Sequence, residues 1–212
     1  MNRLTKQLFL SAQTSVFSSH DVSLLLPGGE HSRQALVKRA IAQGEIIHIR
    51  RGLYCLAPEY RKKPINLFAV AQHVYGPSYI SLESALGYHG WIPEAVYGCT
   101  SVCLKNSKDF QTPLGLFSYQ RVPQEILYTG VERQTDDHGN AFFMAGPIKA
   151  LADYVYIHKL DWLGAAPVIQ SLRVEEEELR SVRAESIESL VENHRSRRVR
   201  TFLLSLQKEI PR

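Results

Sequence analysis

The chain has 212 residues, 44% hydrophobic and 22% charged, with a formal net charge of +4. That is ordinary for a globular protein and long enough for one large domain or two small ones. Three cysteines are too few, and odd in number, for a disulfide scaffold, and Leu8-Phe9-Leu10 is too short for a signal-peptide core or a membrane span. A cytoplasmic protein with reduced thiols is expected. The charge is uneven. Residues 1–63 hold ten Lys/Arg against four Asp/Glu, a local +6, so the N-terminal part calls for an anionic partner.

Leu4, Leu8 and Ala12 recur at helical spacing and predict a first helix over residues 2–13. Ser18 or Ser19 is the expected cap of a second, with Asp21 in its first turn and Val22, Leu25 and Leu26 on its buried face. Pro27-Gly28-Gly29 punctuates a turn, and Ser32 is the expected N-cap of a third helix ending at Gly44. Its apolar stripe is Leu36, Val37, Ala40 and Ile41. Two short β runs, 45–49 and 53–57, are joined by Arg50-Arg51-Gly52. Three helices followed by such a hairpin, over residues 1–60, are what a winged helix-turn-helix requires, with a helix in a groove and the tip at phosphates or the minor groove.

On a helical wheel of roughly 100° per residue, Lys38 lies opposite the apolar stripe and is flanked by Gln34 and Arg39. Arg33 falls nearer the apolar face, but a long side chain in the first turn reaches around to a phosphate. The expected contacts to double-stranded DNA are therefore Ser32, Arg33, Gln34, Lys38 and Arg39 of the helix, with Arg50 and Arg51 of the hairpin tip.

Residues 58–64, PEYRKKP, read as a linker. Over residues 64–212 the pattern predicts helices at 65–74 and 81–89, a strand at 79–80, and strands at 96–104, 116–122, 125–133 and 141–144. A helix opens at Gly146-Pro147 and another spans 161–172. The last forty residues read as a helical tail with an acidic block, Glu175–Glu178, and a basic one, Arg195, Arg197, Arg198 and Arg200. Glu185, Glu188 and Glu192 are expected to neutralise those arginines. The fold class is α+β: an N-terminal winged helix-turn-helix, then a mixed α/β domain with a largely antiparallel sheet and a helical tail.

No phosphate-cradling glycine loop, zinc spacing, nucleophile elbow or paired-carboxylate motif appears, so no catalytic residue, metal or cofactor is expected and the chain does not read as an enzyme. Cys99 and Cys103 share a strand face about 13 Å apart, too far for one zinc, and read as buried thiols. Ser81 and Glu83 serve a helix start while Leu82, Ala85 and Leu86 pack. Trp91 and Trp162 read as core or interface anchors.

The hairpin RRGLYCLAP, followed about twenty residues later by YISLESALGYHGWIPE, resembles the AbiEi-type antitoxins of bacterial abortive-infection systems, and GPIKALADYVYIHK is similar to a helix of their antitoxin domain. The resemblance stops near Lys159. It implies a phage-defence antitoxin that represses its own operon at inverted repeats, as monomer or dimer, and counteracts a nucleotidyltransferase-type toxin. In that family neutralisation is commonly described without a stable complex. Relatives carry a more arginine-rich recognition helix, where this chain has Gln34, Ala35 and Val37. The alternative is a stand-alone transcriptional regulator with a C-terminal sensor or protein-interaction domain.

Overall fold

A computed structural model describes residues 1–11, 15–93 and 98–209 of the chain. Ala12 and the end of the expected first helix lie outside the described residues, as do the first two residues of the expected strand over 96–104. The architecture is mixed α+β.

The N-terminal elements run α1 (Arg3–Ser11), β1 (Val16–Ser18), α2 (Ser19–Leu25), α3 (Glu30–Ala42), β2 (Ile46–Arg50) and β3 (Leu53–Leu56). The strands form an antiparallel sheet in the order β1-β3-β2. β1 is only three residues long, too short for a readable period, and exists because Val16–Ser18 pairs with β3. Ser18 caps α2 reciprocally: its hydroxyl accepts the Asp21 N–H at 3.2 Å and its own N–H reaches the Asp21 carboxylate at 2.7 Å. Such a cap contributes about 1 kcal/mol. Burial pushes the Asp21 carboxyl up, but the bonds from Ser18 outweigh it and leave the pKa below its ordinary value.

α3 starts three residues earlier than expected. Gly28, at φ +112°, turns the chain, and extended Gly29 is the N-cap, its carbonyl accepting the Arg33 N–H at 3.2 Å. Ser32 is thus an exposed first-turn residue and caps nothing.

Strand alternation divides the small sheet between two cores. Ile46 and Leu56 join Leu4, Leu8, Phe17, Val22, Leu26, Val37 and Ala40 beneath the three helices. From the opposite face Leu53 and Cys55, with Ile49, join the larger core formed by the rest of the chain.

After a 3₁₀ turn at Pro58–Tyr60 come α4 (Leu67–Val74), β4 (Ser78–Ile80), α5 (Leu82–Tyr88), β5 (Cys99–Cys103), β6 (Lys108–Thr112), β7 (Gly115–Arg121), β8 (Val131–Thr135) and β9 (Ala141–Ala145). Then follow α6 (Pro147–Ile157), α7 (Ala166–Leu172), α8 (Glu176–Arg180), α9 (Ala184–Asn193) and α10 (Arg197–Gln207). The six strands pair in the order β6-β7-β5-β4-β9-β8. Antiparallel and parallel neighbours alternate across this sheet, three pairs antiparallel and two parallel, so it is largely antiparallel but mixed. The expected strand over 125–133 is displaced: residues 125–130 form turns, and β8 pairs with β9 from Val131 onward.

The tail is part of the fold. Val199, Phe202, Leu203 and Leu206 are buried in the large core, with α10 packed on α6 and α9. Two of its arginines pair with distant acids, Arg195 with Glu125 at 2.6 Å and Arg198 with Asp161 at 2.7 Å, while Glu188 accepts from Gln207. Arg195 and Arg198 thus pair with acids in the loops after β7 and α6 rather than with Glu185, Glu188 or Glu192.

Candidate nucleic-acid interface

α2, α3 and the β2–β3 hairpin enclose a cleft of about 560 Å³. One wall is a ridge of α3, Glu30, Gln34 and Lys38, spaced by four residues so that their side chains stack along one helix face. All three are exposed. Arg33 completes this wall, its guanidinium donating to the Gly28 carbonyl at the mouth. The facing wall is the hairpin, with His48 and Tyr54 side by side at 5.3 Å between ring centres and Arg51 exposed at the tip. Ser19 and His20 close the end.

Local chemistry fixes the tip. Arg51-Gly52 forms a two-residue turn, with Gly52 at φ +76°, a conformation that favours glycine. The Gly52 carbonyl accepts the Ser19 N–H at 2.9 Å, tying the tip to the start of α2. The cleft therefore presents Arg33, Lys38 and Arg51 with His20 and His48, against the carboxylate of Glu30.

Of the expected DNA contacts, the fold brings Arg33, Gln34, Lys38 and Arg51 together. Ser32 and Arg39 are exposed on α3 but do not line the cleft, and the Arg39 Nε donates back to the Ala35 carbonyl at 3.4 Å. Arg33, which the helical wheel puts nearer the apolar face, lines the cleft and Arg39 does not, because the hairpin stands on the Arg33 side of the helix.

Arg50 is also placed elsewhere. Its guanidinium donates to the Val74 carbonyl and lies 5.6 Å from the centre of the Phe110 ring. The cause is a β-bulge. His48 pairs with Tyr54, but Arg50 rather than Ile49 pairs with Leu53, so the extra residue turns Arg50 onto the face that meets the large core. Regular alternation would have put Arg50 beside His48 in the cleft. His20, Glu30 and His48 line the cleft although no local signal in the chain marks them. Glu30 follows once the helix start is moved to Gly29, whereas His20 and His48 need the hairpin docked on α2.

A second polar cluster lies inside the large core. Lys149 and Asp153, one turn apart on α6, pair at 2.6 Å and are 2% and 0% exposed. Asp153 also accepts from the Tyr79 and Ser81 hydroxyls, at 2.9 and 2.8 Å, and Lys149 donates to Gln124 at 2.9 Å. The Ser81 hydroxyl thus joins this cluster instead of capping α5. Burial holds His194 beside it neutral and lowers its pKa to about 4, with the Lys149 charge acting the same way. The cluster joins β4, α6 and the loop after β7, and its burial marks it as a scaffold rather than a site open to a ligand.

Cys55, Cys99 and Cys103 are free and buried, and burial pushes the Cys99 thiol up to about 12. Among the described residues no helix is long and apolar enough to cross a membrane. No family model matches the chain, and no curated protein matches it.

Proposed function

We propose that the N-terminal unit is a winged helix-turn-helix and that the chain binds operator DNA as the autorepressing antitoxin of a toxin–antitoxin pair. The observation that carries the DNA half is the cleft: an exposed helix ridge bearing Lys38, faced by a hairpin tip bearing Arg51, with Arg33 at the mouth. The element order α1-β1-α2-α3-β2-β3 and the sheet order β1-β3-β2 support it, since a groove-reading helix beside a backbone-contacting hairpin requires that order. The local +6 of residues 1–63 favours the same polyanionic partner.

The antitoxin half rests on the likeness of RRGLYCLAP, YISLESALGYHGWIPE and GPIKALADYVYIHK to AbiEi-type antitoxins. On this reading the protein works in the cytoplasm and counteracts a nucleotidyltransferase-type toxin. A gel shift with the chain's own promoter region tests the repressor half: selective, salt-sensitive binding is expected, and equal binding to random duplex refutes it. Co-expression with the product of the adjacent reading frame tests the antitoxin half: this reading expects a nucleotidyltransferase there whose toxicity the chain relieves, and unrelieved toxicity refutes it.

A further inference from the structure

We infer that Glu30 is a positioning residue that fixes the Gln34 carboxamide so that it reads an adenine in the major groove. The inference rests on reading the cleft as the duplex-binding surface. Among the residues lining that cleft Glu30 is the one carboxylate, and it stands on the same α3 ridge as Gln34 and Lys38. Against phosphates alone such a charge is unfavourable, because it repels the groups that Arg33, Lys38 and Arg51 attract.

Its structural partner is specific. Glu30 Oε1 accepts the Gln34 Nε2 at 2.9 Å, from one helical turn away. A carboxylate only accepts hydrogen bonds, so it binds the amide by its nitrogen and never by its oxygen. That removes the twofold ambiguity of a free glutamine. Oε1 and the second N–H are then left side by side, an acceptor next to a donor. Adenine offers the complement in the major groove, a donor at N6 and an acceptor at N7, and this glutamine–adenine pair is bidentate. The remaining Glu30 oxygen also disfavours guanine, which presents two acceptors there.

The test selects bound sequences from a pool of random duplexes, using the full chain as wild type, Glu30→Gln and Gln34→Ala. Affinity for an unselected duplex is measured alongside. Wild type is expected to enrich adenine at one position of its site. Gln34→Ala should flatten that preference by about 5- to 100-fold and leave the other positions alone. Glu30→Gln should flatten the same position, because a neutral amide accepts either orientation of Gln34. It should also bind unselected duplex more tightly, since a negative charge has left a surface facing phosphates. An unchanged adenine preference in Glu30→Gln overturns the inference while leaving the DNA-binding reading intact. So does a joint fall in selective binding, unselected binding and melting temperature, which marks Glu30 as merely structural. A wild-type pool with no enriched position overturns the operator-binding reading itself, and this inference with it.

Discussion

Replacing Lys38 and Arg51 together by alanine removes two of the three permanent cations that line the cleft. If each cation neutralises one phosphate, wild type loses affinity with salt at a slope of about −2.7 on logarithmic axes, from about −0.9 per contact. Between 50 and 200 mM salt that is roughly a 40-fold loss, against about 3.5-fold for the double variant, whose slope is near −0.9. Fluorescence anisotropy of a labelled operator duplex, titrated at several salt concentrations, reads both slopes. Both side chains are exposed and make no core contact, so the melting temperature should hold, which separates lost binding from lost folding. Arg39→Ala, outside the cleft, is the internal control and should move the slope far less. Equal slopes for wild type and the double variant, or a larger loss from Arg39→Ala, would refute the assignment of the cleft as the phosphate-binding surface.

Arg50→Ala should lower stability by about 1–3 kcal/mol in urea denaturation, as a charged donor to a carbonyl is lost, and leave the salt slope unchanged; a slope reduced by about one would make Arg50 a phosphate contact instead. Asp153→Ala strands Lys149 as a buried unpaired cation beside Tyr79 and Ser81. A cost of about 3–5 kcal/mol follows, seen as a large drop in melting temperature, and a shift of only a degree or two would contradict it. His194 gives a pH dependence. Its pKa is about 4 in the fold against an ordinary 6.5, so as pH falls the unfolded chain takes up this proton first. The stabilisation from the neutral ring is complete above pH 6.5 and declines as pH falls toward 4. Between pH 7.5 and 5 the loss is about 2 kcal/mol, which denaturation of wild type and His194→Gln at the two pH values should show as a steeper decline in wild type.

Much of the helical content was readable in the chain because its signals are local. The Ser18 cap with Asp21, the stripe through Val37 and Ala40, and Pro147 at the head of α6 act within a turn or two of themselves. The uneven charge and the arginine-glycine hairpin likewise marked out the N-terminal part without reference to anything distant.

What tertiary structure decided was pairing and facing. β1 is a strand only because β3 lies beside it, and β8 starts at Val131 only because β9 pairs there. One extra residue in β2 sends Arg50 to Val74 and leaves Arg51 to the cleft, an outcome that alternation along the strand predicts the other way. Whether Arg33 or Arg39 lines the cleft depends on which side of α3 the hairpin docks, and the burial of Lys149 and Asp153 on the packing of α6 against α5, α9, α10 and β9. Composition and periodicity carry the first kind of information because a helix closes its hydrogen bonds within itself. The second kind is held in contacts between residues far apart in sequence, where a single shift of register exchanges an inward side chain for an outward one.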